Sequence, residues 1–154
     1  SDLWLIFDEE FILAFNKGRA FFGISGYHFD PSVVTNYIGL EPTSTNDAGM
    51  RGNLDKPVLS SWEFSTPTIT SEMQELDIYK LIDDEILKKI EPAKDKIIEI
   101  CKAHNLTPSI GVVLTLSIDK DENSPEVGFG ARIIKFCSDI GAFINVDYEL
   151  SERV

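Results

Sequence analysis

Histidine and cysteine are nearly missing from this chain, with two of each among 154 residues. A structural zinc site gathers four ligands, usually Cys and His. Here His28 and His104 stand apart, and Cys101 with His104 makes half a site at most. Neither a metal nor a cofactor is expected. Two cysteines are also too few for the disulfide framework of a small secreted domain. Cys101 and Cys137 fall on apolar helical patterns and read as reduced core thiols, which suits a cytoplasmic setting. Long apolar runs are lacking too, since no stretch approaches the ~18 residues of a spanning helix. The first residues carry Asp2, Asp8, Glu9 and Glu10 instead of the basic flank of a secretory signal. Positive charge is scarce: 14 Lys and Arg stand against 26 Asp and Glu, a net charge of −12. That balance speaks against nucleic acid, which asks for a basic footprint, and against an anionic membrane surface.

Recognised catalytic patterns are missing as well. Asp119, Asp121 and Asn123 occupy the first, third and fifth places of a calcium loop. The sixth place, which needs glycine, holds Ser124, and the twelfth, which needs glutamate, holds Gly130. Ser25, Ser60 and Ser61 are candidate nucleophiles with His28 as base, but none sits in a Gly-x-Ser-x-Gly elbow. The consecutive carboxylates Asp83, Asp84 and Glu85 point to different sides of a helix. Gly128 and Gly130 do not form a phosphate-cradling loop. No enzyme is expected from these residues.

What is present is a clear series of elements. The size is that of one domain spanning residues 1–154. Residues 3–20 read as a hairpin turning at Asn16-Lys17-Gly18, with an N-terminal helix as the alternative. Phe21 to Phe29 reads as a strand rich in aromatics. Asp30 then offers an N-cap oxygen, Pro31 suits the first helical turn, and Gly39 closes a short helix. Residues 41–57 read as loop. Ser60 to Ser65 reads as a strand with Trp62 and Phe64 on one face. Residues 72–105 carry a helical period through Leu76, Tyr79, Ile82, Ile86, Leu87 and Ile90, with Pro92 dividing two helices or bending one. Ile110, Val112, Leu114 and Leu116 alternate as a central strand. Ser124-Pro125-Glu126 opens a last helix with Ile133, Phe136, Cys137 and Ile140 inward. Phe143 to Leu150 alternates as a half-buried final strand.

This order predicts an α+β fold: a ferredoxin-like sandwich with a mostly antiparallel or mixed sheet of four to five strands and helices on one face. The chain also resembles a bacterial family known only as a domain of unknown function, number four-two-seven-nine. The resemblance rests on Ile24-Ser25-Gly26 with Pro31, on Gly39-Leu40-Glu41-Pro42-Thr43, and on Ser61-Trp62. Ile86-Leu87 with Ile90 and Pro92, Gly128-Phe129 and Asp147-Tyr148 fit the same pattern. It covers residues 21–150 as a core, leaves 1–20 as an extension, and implies no catalytic residue.

Charge is unevenly spread. Glu72, Glu75, Asp77, Asp83, Asp84 and Glu85 face only Lys80 over residues 69–87, whereas residues 88–102 hold five lysines. Glu72, Glu75, Asp77, Asp83 and Asp84, with Tyr79 and Met73 as apolar anchors, form the expected binding surface for a basic protein partner. The functional expectation is a non-enzymatic acidic protein-binding module, specifically an immunity-type inhibitor that neutralises a bacterial toxin domain. The alternative is a small-molecule-binding regulatory domain with a pocket lined by Phe22, Tyr27 and Trp62.

Overall fold

The computed structural model describes residues 15–48, 59–72, 74–118 and 124–151. Most of the expected N-terminal hairpin, the loop from residue 49, Met73 and the acidic turn at 119–123 lie outside the described residues. The chain runs β1 (Lys17–Tyr27), α1 (Pro31–Ile38), β2 (Ser44–Asn46), β3 (Leu59–Ser65), β4 (Ile69–Thr70) and α2 (Ile78–Lys80). A π-helical segment (Leu81–Leu87), α3 (Lys88–Ile90), a 3₁₀ turn (Glu91–Ala93) and α4 (Lys94–His104) continue α2 as one arm. β5 (Thr107–Ser117), α5 (Ala131–Ile140) and β6 (Phe143–Ser151) complete it.

The strands form one mixed sheet in the order β2-β3-β1-β5-β6, with β4 paired to the start of β1. β1 is antiparallel to β3 and β5, while β5 and β6 run parallel. This is the expected α+β architecture with helices on one face, with six strands in place of the four to five expected because the short β2 and β4 carry no period of their own. Alternation decides which side chains meet the helices. Ala20, Phe22 and Ile24 of β1 register against Val112, Ile110 and Pro108 of β5, and Phe22 and Ile24 also against Phe64 and Trp62 of β3. Most of these are buried in the core, while Arg19, Gly23 and Ser25 occupy the opposite face.

α1 forms as its sequence dictates. Asp30 Oδ1 accepts from the Ser32 N–H at 2.9 Å, Pro31 begins the helix, and Gly39 (φ 73°) ends it in the left-handed region. Trp62 anchors the helix to the sheet: its Nε1–H donates to Thr35 Oγ1 at 3.0 Å, and its ring meets Phe22 edge-on at 6.0 Å.

Several boundaries differ from the sequence expectation. Asn16-Lys17-Gly18 is no turn, because Lys17 and Gly18 pair with β4 on one side and β5 on the other. The segment after Pro42 contains β2, held to β3 through Ser44↔Glu63, Thr45↔Trp62 and Asn46↔Ser61. The helical arm starts at Ile78, six residues later than the acidic run suggests, because Asp77 caps it by accepting from the Lys80 N–H at 3.1 Å. Ahead of that cap, the Gln74 N–H donates to Thr70 O. The wide turn of the π segment keeps Ile82, Asp83, Ile86 and Leu87 buried together with Ile78 and Ile90. Tyr79, which the helical period places inward and the expected binding surface places outward, is 50% exposed as a result. Pro92 sits in the 3₁₀ turn and bends the arm without ending it. α5 begins at Ala131, so Ser124-Pro125-Glu126 precede it as irregular chain; its buried face is Ile133, Phe136, Cys137 and Ile140 as read. β6 is the clearest departure: it lies at the sheet edge with every residue from Phe143 to Leu150 exposed. Its alternation is real, yet no helix among the described residues covers it.

Candidate partner-binding surface

The start of the helical arm lies between two adjoining clefts, and Glu75 and Asp77 line both. The larger, about 530 Å³, is closed by Asn16, Ser71 and Leu76 and by Glu126, which arrives from the segment before α5. The smaller, about 210 Å³, lies along the arm, with Lys80, Asp84 and Glu85 on its walls and Ile69 and Leu81 as its apolar part. Glu75, Asp84, Glu85 and Glu126 are exposed and Asp77 is half-buried. Among the described residues, five carboxylates and one lysine thus line these adjoining depressions.

The floor of the larger cleft is fixed by backbone and amide bonds. The Asn16 N–H donates to Ser71 Oγ at 3.1 Å, the Ser71 N–H donates to Asn16 O at 2.9 Å, and Asn16 Oδ1 accepts from the Ser117 N–H at 2.8 Å. Asn16 is 2% exposed; its backbone ties it to the end of β4 and its side-chain amide to the end of β5, beneath the site. Asp77, by capping the arm, holds its own carboxylate in place.

The remaining residues of the expected surface separate. Glu72 is exposed in the turn after β4. Asp83 points inward at 7% exposure, and its Oδ1 has no hydrogen-bond partner. Its carboxylate accepts from the Tyr79 phenol, which raises the Tyr79 pKa above the ordinary value; the negative charges of Asp83 and Asp84 add to this, while Arg132 opposes it. The Tyr79 ring lies against Gly130, where an added Cβ would come within 2.6 Å of its Cε2 and displace the ring. Arg132 is itself engaged by Glu91 through Nε and Nη2 at 3.1 and 3.0 Å, a bidentate pair that lowers the Glu91 pKa. Glu75, Asp77, Asp84 and Glu85 are therefore the part of the acidic run that faces outward into the clefts. Glu126 and Asn16 escaped sequence reasoning because only the topology brings them beside residues 75–77.

The pocket expected from Phe22, Tyr27 and Trp62 does not assemble. Phe22 and Trp62 are fully buried in the core, whereas Tyr27 is exposed at the end of β1 on the opposite face. A different depression, about 600 Å³ and shallow, runs between α1 and α4 past Val33, Tyr37, Glu99, Ile100 and His104. There the Tyr37 hydroxyl donates to the Glu99 carboxylate, which raises the Tyr37 pKa. Ser25 and Ser61 are cross-strand neighbours on the open face, Ser60 is buried with its hydroxyl accepting from the Ala48 N–H, and His28 is exposed beyond β1. Cys101 is buried and His104 exposed, and among the described residues no three His, Cys, Asp or Glu converge as metal ligands. Also among the described residues, no helix is long and apolar enough to cross a membrane.

No curated protein and no solved structure matches this chain. The family model described as a domain of unknown function (DUF4279) matches residues 16–151, from the buried Asn16 to the last residue of β6. With well over half of its length matched, the chain belongs to the DUF4279 family.

Proposed function

We propose that this protein is a non-enzymatic, acidic protein-binding module that works in the cytoplasm, with the clefts around Glu75 and Asp77 receiving lysine or arginine side chains of a basic partner. The observation that carries this reading is that Glu75, Asp77, Asp84, Glu85 and Glu126 line two adjoining depressions that share Glu75 and Asp77. A carboxylate-lined recess favours a guanidinium or ammonium group over a neutral one, and a net charge of −12 accelerates encounter with a cationic surface. The partner that best fits this chemistry is a basic toxin domain of the nuclease kind, which makes the protein an immunity-type inhibitor. Coexpression with a toxin-like product of a neighbouring gene tests it. A stable complex and protection of the host are expected; neither complex nor protection would reject the reading.

A second reading, small-molecule binding, draws on the depression between α1 and α4, whose volume lies within the range of ligand sites. A metabolite that binds there raises the melting temperature by mass action, and Tyr37→Ala abolishes that rise. A metabolite library without any such shift would remove it.

A further inference from the structure

The two edges of the sheet are built differently. β2 is three polar residues long, Ser44, Thr45 and Asn46, and offers little to a neighbouring strand. β6 runs from Phe143 to Ser151 with its outer backbone edge free of any described strand. The β5 register places Ile144, Val146, Tyr148 and Leu150 on the helix side of the sheet, beside Ile110, Val112, Leu114 and Leu116. These four continue the core outward, yet remain 39%, 43%, 68% and 67% exposed. A long apolar edge left bare is a template for strand pairing, and natural proteins normally blunt it with charge, proline or a bulge. None of these interrupts this stripe; the two acids of the strand, Asp147 and Glu149, lie on the other face.

We propose that β6 is a homodimer interface, pairing antiparallel with β6 of a second copy about a twofold axis at Val146. In this register Ile144 faces the partner's Tyr148, and Asp147 faces the partner's Asn145. Glu149 faces the partner's Phe143, and no two carboxylates stand directly opposite. Centring on Asp147 instead would set two aspartates face to face, and a one-residue slip would turn the apolar stripe to the polar side. Glu149 is also drawn toward its own sheet, accepting from Thr115 Oγ1 at 3.4 Å. The axis stands normal to the sheet, so both copies keep their helices on one side and the two stripes merge. Because β2 is blunt, the contact is isologous and closes as a pair, without extending into a fibre.

The area is sufficient for a dimer of modest affinity. At ~150–250 Å² for a fully exposed large side chain, the four exposures leave roughly 400 Å² of apolar surface per copy. A standard interface takes ~800 Å² per partner, so edge pairing along β6 is smaller than standard. Two copies of net charge −12 repel each other at long range, so added salt tightens the dimer.

Sedimentation velocity over micromolar to submillimolar concentrations tests this on the full chain. The expected result is a monomer–dimer equilibrium that Val146→Arg weakens at least about tenfold, since it brings two cations together at the axis. Circular dichroism of that variant checks that the fold is kept. Independently, Val146→Cys cross-links to its mate on mild oxidation, whereas Ile134→Cys on α5 does not; the native thiols are buried and do not interfere. A monomer at every concentration without a Val146→Cys cross-link overturns the proposal. So does a dimer that neither variant affects, and so does a monomer whose Val146→Cys thiol is shielded from a soluble reagent, which would mean that the edge is covered within the chain.

Discussion

Trp62 is the point at which the fold is most directly tested. Its indole is fully buried, meets Phe22 edge-on, and donates to Thr35 Oγ1 across the gap between sheet and α1. Trp62→Phe removes about 40 Å³ of side chain, which at ~24 cal/mol per Å³ of residual cavity costs about 1 kcal/mol. The lost transfer of a similar number of square ångströms adds about 1 kcal/mol. The lost hydrogen bond adds about 1 kcal/mol more. The expected destabilisation is therefore about 3 kcal/mol. Thr35→Val keeps the shape of the half-buried partner and removes its acceptor, costing about 1 kcal/mol. The double mutant should fall short of the sum of the singles by about 1 kcal/mol, because the second change finds the bond already gone. Urea unfolding followed by far-UV circular dichroism measures all four proteins without relying on the indole being removed. A coupling below about 0.3 kcal/mol would refute the reasoning, since distant or unbonded pairs add within that margin.

Two further predictions concern the core. Leu114→Ala, at a β5 position 3% exposed, should cost roughly 2–5 kcal/mol in the same assay; a loss under about 1 kcal/mol would mean that β5 does not face the core there. Burial pushes the Cys101 and Cys137 thiols from 9.0 to about 11. The folded state thus holds these protons more tightly than the unfolded chain does. Their contribution to stability is complete below 9.0 and declines as the pH rises toward 11. Both thiols should react slowly with a soluble thiol reagent in the native protein and quickly in denaturant; rapid native labelling would contradict their placement.

Local chemistry was legible in the sequence. Asp30, Pro31 and Gly39 bracket α1 because caps act within a few residues. The alternation of Ile110, Val112 and Leu114 and the inward face of α5 also stand, since each period reflects burial against one layer. Contacts between distant segments escaped it. Residues 74–77 carry good helix formers, but the Asn16–Ser71 bonds tie the chain before them to the start of β1, and the arm begins only where Asp77 caps it. The π segment shifts Tyr79 outward, where a 3.6-residue period places it inward. β2 exists only because β3 pairs with it, and three polar residues carry no period of their own. For β6, alternation identified a face without saying whether anything covers it. The candidate surface divides in the same way. The run of acids was visible, but that Asp83 turns inward and Glu126 joins Glu75 depends on how separate segments meet.

The central claim is that the acidic clefts seat a basic protein partner. Stopped-flow association with the purified basic product of a neighbouring toxin-like gene, at low and high salt, tests it for the native protein and for Glu75→Lys with Glu126→Lys. The native on-rate should fall steeply with salt and drop about tenfold or more in the double charge reversal. Association indifferent to both salt and charge reversal, or no association at all, would contradict it.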